Sequence, residues 1–100
     1  MEQILNQIPR GWEAFFYRTQ AGAEVDLILQ PQPGQAPIFV EFKHSQAPKL
    51  TAGFWSAQKD LRPQACYVVY PGAIPYPLTK SVEVLPLAQI NKIWEERGGG

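Results

Sequence analysis

Eight consecutive residues, Gln30 to Pro37, hold three prolines and a glycine, and a strand-like apolar run lies on either side of them. Proline fixes φ and has no N–H to donate, so neither a helix nor an interior strand can pass through such a stretch. The runs Ala23-Glu24-Val25-Asp26-Leu27-Ile28-Leu29 and Pro37-Ile38-Phe39-Val40-Glu41-Phe42-Lys43 must therefore be separate elements. Their aromatic and β-branched content makes them strands, and a turn-rich connector of this length makes a hairpin the natural pairing. A chain built around that hairpin is committed to a sheet.

The remaining segments supply the rest of an α/β or α+β sandwich around one mixed sheet. Trp12 to Arg18 reads as a first strand, with Gly22 turning the chain into the second strand at Glu24 to Gln30; the third runs from Ile38 to Lys43. A helix is expected from Pro48 to Leu61, with Gly53 inside it and Arg62-Pro63 closing it. Tyr67 to Tyr70 is a fourth, buried strand, parallel to the third with a right-handed crossover. Pro71 to Pro77 reads as a loop, Val82 to Leu85 as a short strand, and Leu87 to Arg97 as a final helix with Ile90, Ile93 and Trp94 as its apolar stripe. At the start, Ile4, Leu5 and Ile8 have helical spacing, and the segment Glu2 to Ile8 is expected to be the last turns of a longer helix. One domain over residues 1–97 follows, with a flexible tail at 98–100.

With 45% hydrophobic residues, the chain can build a globular core and is not a disordered segment. Nine basic and nine acidic residues balance, so no global positive field would draw in a polyanion; any nucleic-acid contact needs a local patch. Cys66, the single cysteine, sits in an apolar run and reads as a small buried thiol, which excludes an intrachain disulfide. The absence of a signal peptide or long apolar span sets the expectation of a cytoplasmic, non-membrane setting.

Charges inside strand-like runs are costly to bury unless they are paired or hold a metal. Asp26 lies in the second strand, and Glu41 and Lys43 in the third. Strict alternation groups Glu24, Asp26 and Ile28 on one face of the second strand, and Val25, Leu27 and Leu29 on the other. On the third strand Phe39, Glu41 and Lys43 share a face, so a hairpin lets Asp26, Glu41 and Lys43 converge. Two carboxylates are hard ligands suited to Mg²⁺ or Mn²⁺, and the carbonyl of Phe42 is a candidate third donor. A lysine two residues beyond a ligand is placed to orient a water or stabilise developing charge. Spacing alone leaves a second reading open, a solvated sheet face with a cross-strand acid–lysine pair.

Gly22-Ala23-Glu24-Val25-Asp26 followed by Glu41-Phe42-Lys43 resembles the D…(D/E)xK signature of the PD-(D/E)XK nuclease superfamily. More narrowly, the stretch from Tyr17 to Asp26 is similar to the Y-R-[ST]-x-x-G-x-E-[VI]-D element of one branch. That branch is the uncharacterised domain attached C-terminally to predicted AAA+ ATPases of bacteria and archaea. The likeness continues through the third strand, the following helix and the Val84-Leu85-Pro86-Leu87 strand-to-helix step. It implies a restriction-endonuclease-like mixed sheet flanked by helices, with Asp26 and Glu41 as metal ligands and Lys43 as the catalytic lysine. Nucleases of this class often add a glutamate from a preceding helix, where this chain offers only Glu2. No Walker A loop is present, so an ATPase module would belong to another part of the same chain or to a related one.

Two functions follow as expectations. The first is Mg²⁺- or Mn²⁺-dependent phosphodiester hydrolysis of nucleic acid. The second is a catalytically inactive nuclease-fold module that binds DNA or protein within an AAA+ ATPase, with homo-oligomerisation as a further possibility. Glu24 is a supporting or merely exposed acid. Gln58 and Lys59 on the middle helix are candidates to reach the same site, against simple surface solvation. His44 is read as a rim residue, Arg18 and Lys49 as isolated basic groups, and Trp12, Trp55 and Trp94 as packing anchors.

Overall fold

A computed structural model describes residues 6–95. The expected N-terminal helix falls largely outside the described residues, and positions 6–8 form turn and bend. Six strands make one mixed sheet: β1 Glu13–Arg18, β2 Glu24–Gln30, β3 Ile38–Phe42, β4 Ala65–Tyr70, β5 Tyr76–Thr79 and β6 Val82–Pro86. Their spatial order is β1-β2-β3-β4-β6-β5. The β1–β2 and β2–β3 pairs are antiparallel, β3–β4 and β4–β6 are parallel, and β5–β6 is antiparallel. The hairpin and the parallel crossover are where the turn chemistry and the helix between them require.

Helix α1, Ala52–Leu61, makes that crossover and covers one face. Phe54 and Ala57 pack there on Ile28, Phe39, Cys66, Val68 and Val84, with Phe54 edge-on to Phe39. The other face carries Leu27, Leu29, Val40, Val69 and Leu85, buried beneath Ile90, Ile93 and Trp94. The result is an α+β fold with a sheet between two helical layers.

Four features depart from the sequence expectation. Helix α1 starts at Ala52 rather than Pro48, because the Thr51 hydroxyl accepts the Phe54 N–H and caps it there. Part of the expected 71–77 loop is strand: Tyr76–Thr79 pairs with β6 as the sheet's outer strand, the position that tolerates Pro77. The expected final helix is broken into a 3₁₀ turn, Leu87–Gln89, and a short helix α2, Lys92–Glu95, although the Ile90, Ile93 and Trp94 stripe is buried as its spacing requires.

The fourth departure matters for the site. Opposite the two-residue step Phe15 to Tyr17 on β1, β2 takes three residues, from Ile28 to Val25. This β-bulge inserts one residue, and alternation fails across it. Val25 consequently packs with Ile28 under α1, while Leu27 and Leu29 face the opposite layer. The expected grouping of Val25 with Leu27 and Leu29 is corrected, and Asp26 lies at the point of change.

Gly53 is what lets α1 come down on this end of the sheet. A Cβ there would collide with the backbone carbonyl oxygen of Gly22, in the turn between β1 and β2. Gly22 itself has φ +99°, a conformation that L side chains rarely adopt.

Candidate functional site

The ladder between β2 and β3 runs Leu29–Ile38, Ile28–Phe39 and Leu27–Val40, and then stops. Beyond it two side chains take over the work of the backbone. The Glu41 carboxylate accepts the N–H of Asp26 through Oε1 at 2.6 Å, and the Asp26 carboxylate accepts the N–H of Phe42 through Oδ2 at 3.0 Å. Each acid thus satisfies a donor on the strand opposite its own, as a strand-end N–H requires. Lys43 stands beside them, its Nζ 3.9 Å from Glu41 Oε2. Asp26 on β2, Glu41 on β3 and Lys43 just past the end of β3, which was expected inside that strand, are thus linked through Glu41, fifteen and seventeen positions on from Asp26.

Glu41 is the only buried charged residue among those described, with 5% of its surface exposed. Burial, and the negative charges of Asp26 and Glu24, raise its pKa from the ordinary 4.5 to about 7, against the lowering pull of the Asp26 N–H and Lys43. At neutral pH it therefore sits near the balance between acid and carboxylate. Perturbed acids of this kind, joined to a second acid at a cleft, are candidates for function.

The donor set suits a hard cation. Asp26 Oδ1 and Glu41 Oε2 accept no hydrogen bond from the described residues. In an extended strand the N–H and C=O of one residue point the same way, so the Phe42 carbonyl is directed toward the Asp26 side. Among the described residues no group of three or more His, Cys, Asp or Glu side chains is arranged to hold a metal ion. The carboxylates of Asp26 and Glu41 are hard oxygen donors, the kind that Mg²⁺ takes.

Asp26 opens into a cleft of about 720 Å³ lined by Phe16, Tyr17, Arg18, Glu24, Val25, Phe42 and His44. Glu24 is exposed and paired with Arg18 at 3.1 Å, so it stands at the wall and is bonded to neither carboxylate. His44 is an exposed rim residue, as expected. Gln58 is held elsewhere, its amide donating to Ser81 Oγ at 3.0 Å and to Cys66 Sγ at 3.5 Å. Lys59, in the last turn of α1, makes no ion pair with the acids. Cys66 is buried, and that burial pushes its thiol pKa up. Trp94 is a buried anchor and Trp12 a half-buried one, while Trp55 packs edge-on to Phe54 with one side open. Phe16, which forms the cleft's aromatic wall, was not among the sequence candidates; in a strand it looks like any core aromatic.

No helix of the described residues is long and apolar enough to cross a membrane. Two curated proteins are similar to the chain over 76 residues at 33% identity: the uncharacterised proteins Rv2008c of Mycobacterium tuberculosis and Mb2031c of Mycobacterium bovis. The match takes in 76% of this chain and 17% of each mycobacterial protein, so the chain spans about a sixth of their length. No solved structure matches it. Over residues 1–90 the sequence fits the family described as a domain of unknown function, DUF4143, and the chain belongs to that family.

Proposed function

We propose that this domain is a nuclease-like module that hydrolyses nucleic-acid phosphodiesters with Mg²⁺ or Mn²⁺. The observation that carries this reading is the interlock of Asp26 and Glu41 at the point where β2 and β3 part, with Lys43 at 3.9 Å. The resemblance of the Gly22 to Asp26 and Glu41 to Lys43 segments to PD-(D/E)XK nucleases supports it from the sequence side. In this scheme Asp26 and Glu41 would hold the cation, with the Phe42 carbonyl as a third oxygen donor. The bound cation supplies a lowered pKa for water and neutralises charge on the phosphate under attack. Lys43 orients the attacking water and stabilises negative charge that develops on the phosphate. The backbone N–H bonds of Asp26 and Phe42 fix both carboxylates before substrate arrives, which is preorganisation rather than induced assembly.

The domain is proposed to act as part of a larger AAA+ ATPase. That the two mycobacterial relatives are about six times longer than the matched segment is in keeping with such an arrangement. A second reading, a nuclease fold kept for binding DNA or protein, is favoured by one observation. Each carboxylate already serves the backbone, which gives both acids a structural reason to be present without chemistry.

Incubation of the chain with labelled single- and double-stranded DNA in Mn²⁺ separates the two. Cleavage that Asp26→Asn abolishes supports the enzyme; intact DNA under every condition favours the binding module.

A further inference from the structure

The bulge that places Asp26 also determines what stands across from it. Phe16 lies on β1 between Phe15 and Tyr17, opposite the three-residue step of β2 that contains Asp26 and Leu27. The residue is 73% exposed, the most open large hydrophobic among the described residues. It lines the same cleft as the Asp26 carboxylate. A phenylalanine at a strand centre normally packs; this one faces solvent in the cleft that Glu24 and Asp26 also line.

We propose that Phe16 is a stacking platform for a nucleobase and that the cleft takes single-stranded nucleic acid, with the adjoining phosphate at Asp26. The inference rests on the metal-dependent reading given above. Charge argues for it. The chain has no net charge, and the cleft sets Arg18 against Glu24 and Asp26, with Arg18 already paired to Glu24. Affinity for a duplex comes chiefly from many phosphate contacts, which such a surface does not supply. Single-strand binders instead draw affinity from bases stacked on aromatic rings. A duplex hides those base faces, while a single strand offers them. At about 720 Å³ the cleft is within the size range of small-ligand sites, so a nucleoside with its phosphate is a reasonable occupant. Phe42 and Tyr17 extend the apolar wall, and Arg18 can leave its exposed partner Glu24 at little cost to meet a phosphate.

The test is fluorescence anisotropy with a 5′-labelled oligothymidylate and with a duplex of equal length, both carrying hydrolysis-resistant phosphorothioate linkages, each in Mn²⁺ and in EDTA. The wild type is expected to bind the single strand in Mn²⁺ at least about tenfold more tightly than the duplex. Phe16→Ala should lose about tenfold of that affinity, in line with the worth of one stacked base, and Phe16→Tyr should restore it. Because Phe16 is exposed, the alanine variant should keep the wild-type unfolding midpoint. Equal affinity of Phe16→Ala and wild type, or a preference for the duplex, overturns the inference and leaves the metal site untouched. Single-strand binding that depends on Phe16 but is unchanged in EDTA upholds the stacking wall and strikes the metal-dependent reading instead.

Discussion

Asp26 and Glu41 are locked to each other's strands: the Glu41 carboxylate takes the Asp26 N–H at 2.6 Å, and the Asp26 carboxylate takes the N–H of Phe42, the residue after Glu41, at 3.0 Å. The two acids close the β2–β3 hairpin where its backbone ladder ends. Asp26 borders the cleft while Glu41 is buried behind it, so both have a structural role, and substitutions at each should separate that role from the proposed chemistry.

For Asp26, alanine removes the acceptor and leaves the Phe42 N–H without its partner in a half-buried position. That should cost about 1–3 kcal/mol in urea unfolding. Asparagine keeps an oxygen at the same place and should cost under about 1 kcal/mol. Both variants should lose Mn²⁺-dependent cleavage, so stability and activity part company at Asp26→Asn.

Glu41 makes stability depend on pH. Its folded pKa of about 7 lies above the ordinary 4.5, so between those values the folded protein holds a proton that the unfolded chain has released. Stability contributed by this group is present below about pH 4.5 and is lost as pH rises through 7, a loss of up to about 3 kcal/mol. Glu41→Gln accepts the Asp26 N–H without a charge. Urea unfolding at pH 5 and pH 8 should show the wild type losing more stability than Glu41→Gln between the two, with the variant the more stable at pH 8.

The Lys43 ammonium lies 3.9 Å from Glu41 Oε2, with a quarter of its side chain exposed, while its backbone N–H donates to the Val69 carbonyl. Lys43→Ala should change stability by less than about 1 kcal/mol, as weak ion pairs do. Its cleavage rate should fall by about a hundredfold or more if the ammonium stabilises charge developing on the phosphate. Single-turnover rates beside an unfolding curve check both halves.

Gly53 tests the packing that carries α1 over the site. In an exposed helix, Gly→Ala would stabilise by about 1 kcal/mol. Here the added methyl meets the Gly22 carbonyl, and pushing apart packed backbone costs about 1–3 kcal/mol. Thermal unfolding of Gly53→Ala should show a lower midpoint than the wild type; a higher one would mean that the β1–β2 turn gives way freely.

The meeting of Asp26, Glu41 and Lys43 was legible in the sequence because it depends on a hairpin that the Pro31, Pro33, Gly34 and Pro37 cluster enforces. The α1 crossover was legible for a similar reason, since Arg62-Pro63 ends the helix and an apolar run follows at once. The β2 bulge was not. It arises from pairing with β1, and nothing in Glu24-Val25-Asp26-Leu27 breaks alternation by itself. Strand β5 was hidden by Pro77, which reads as a loop residue until it is seen on the sheet's outer strand. Where Gln58 points was not legible, because helical spacing gives the face a side chain is on and not what lies beside it, here Cys66 and Ser81.

Isothermal calorimetry with Mn²⁺ on the wild type and on Asp26→Asn/Glu41→Gln, compared at matched stability, tests the metal site most directly. The account predicts saturable binding of about one ion per chain by the wild type and none by the double variant. Binding by neither, or equal binding by both, would contradict it and leave the interlocked carboxylates as a device of the fold alone.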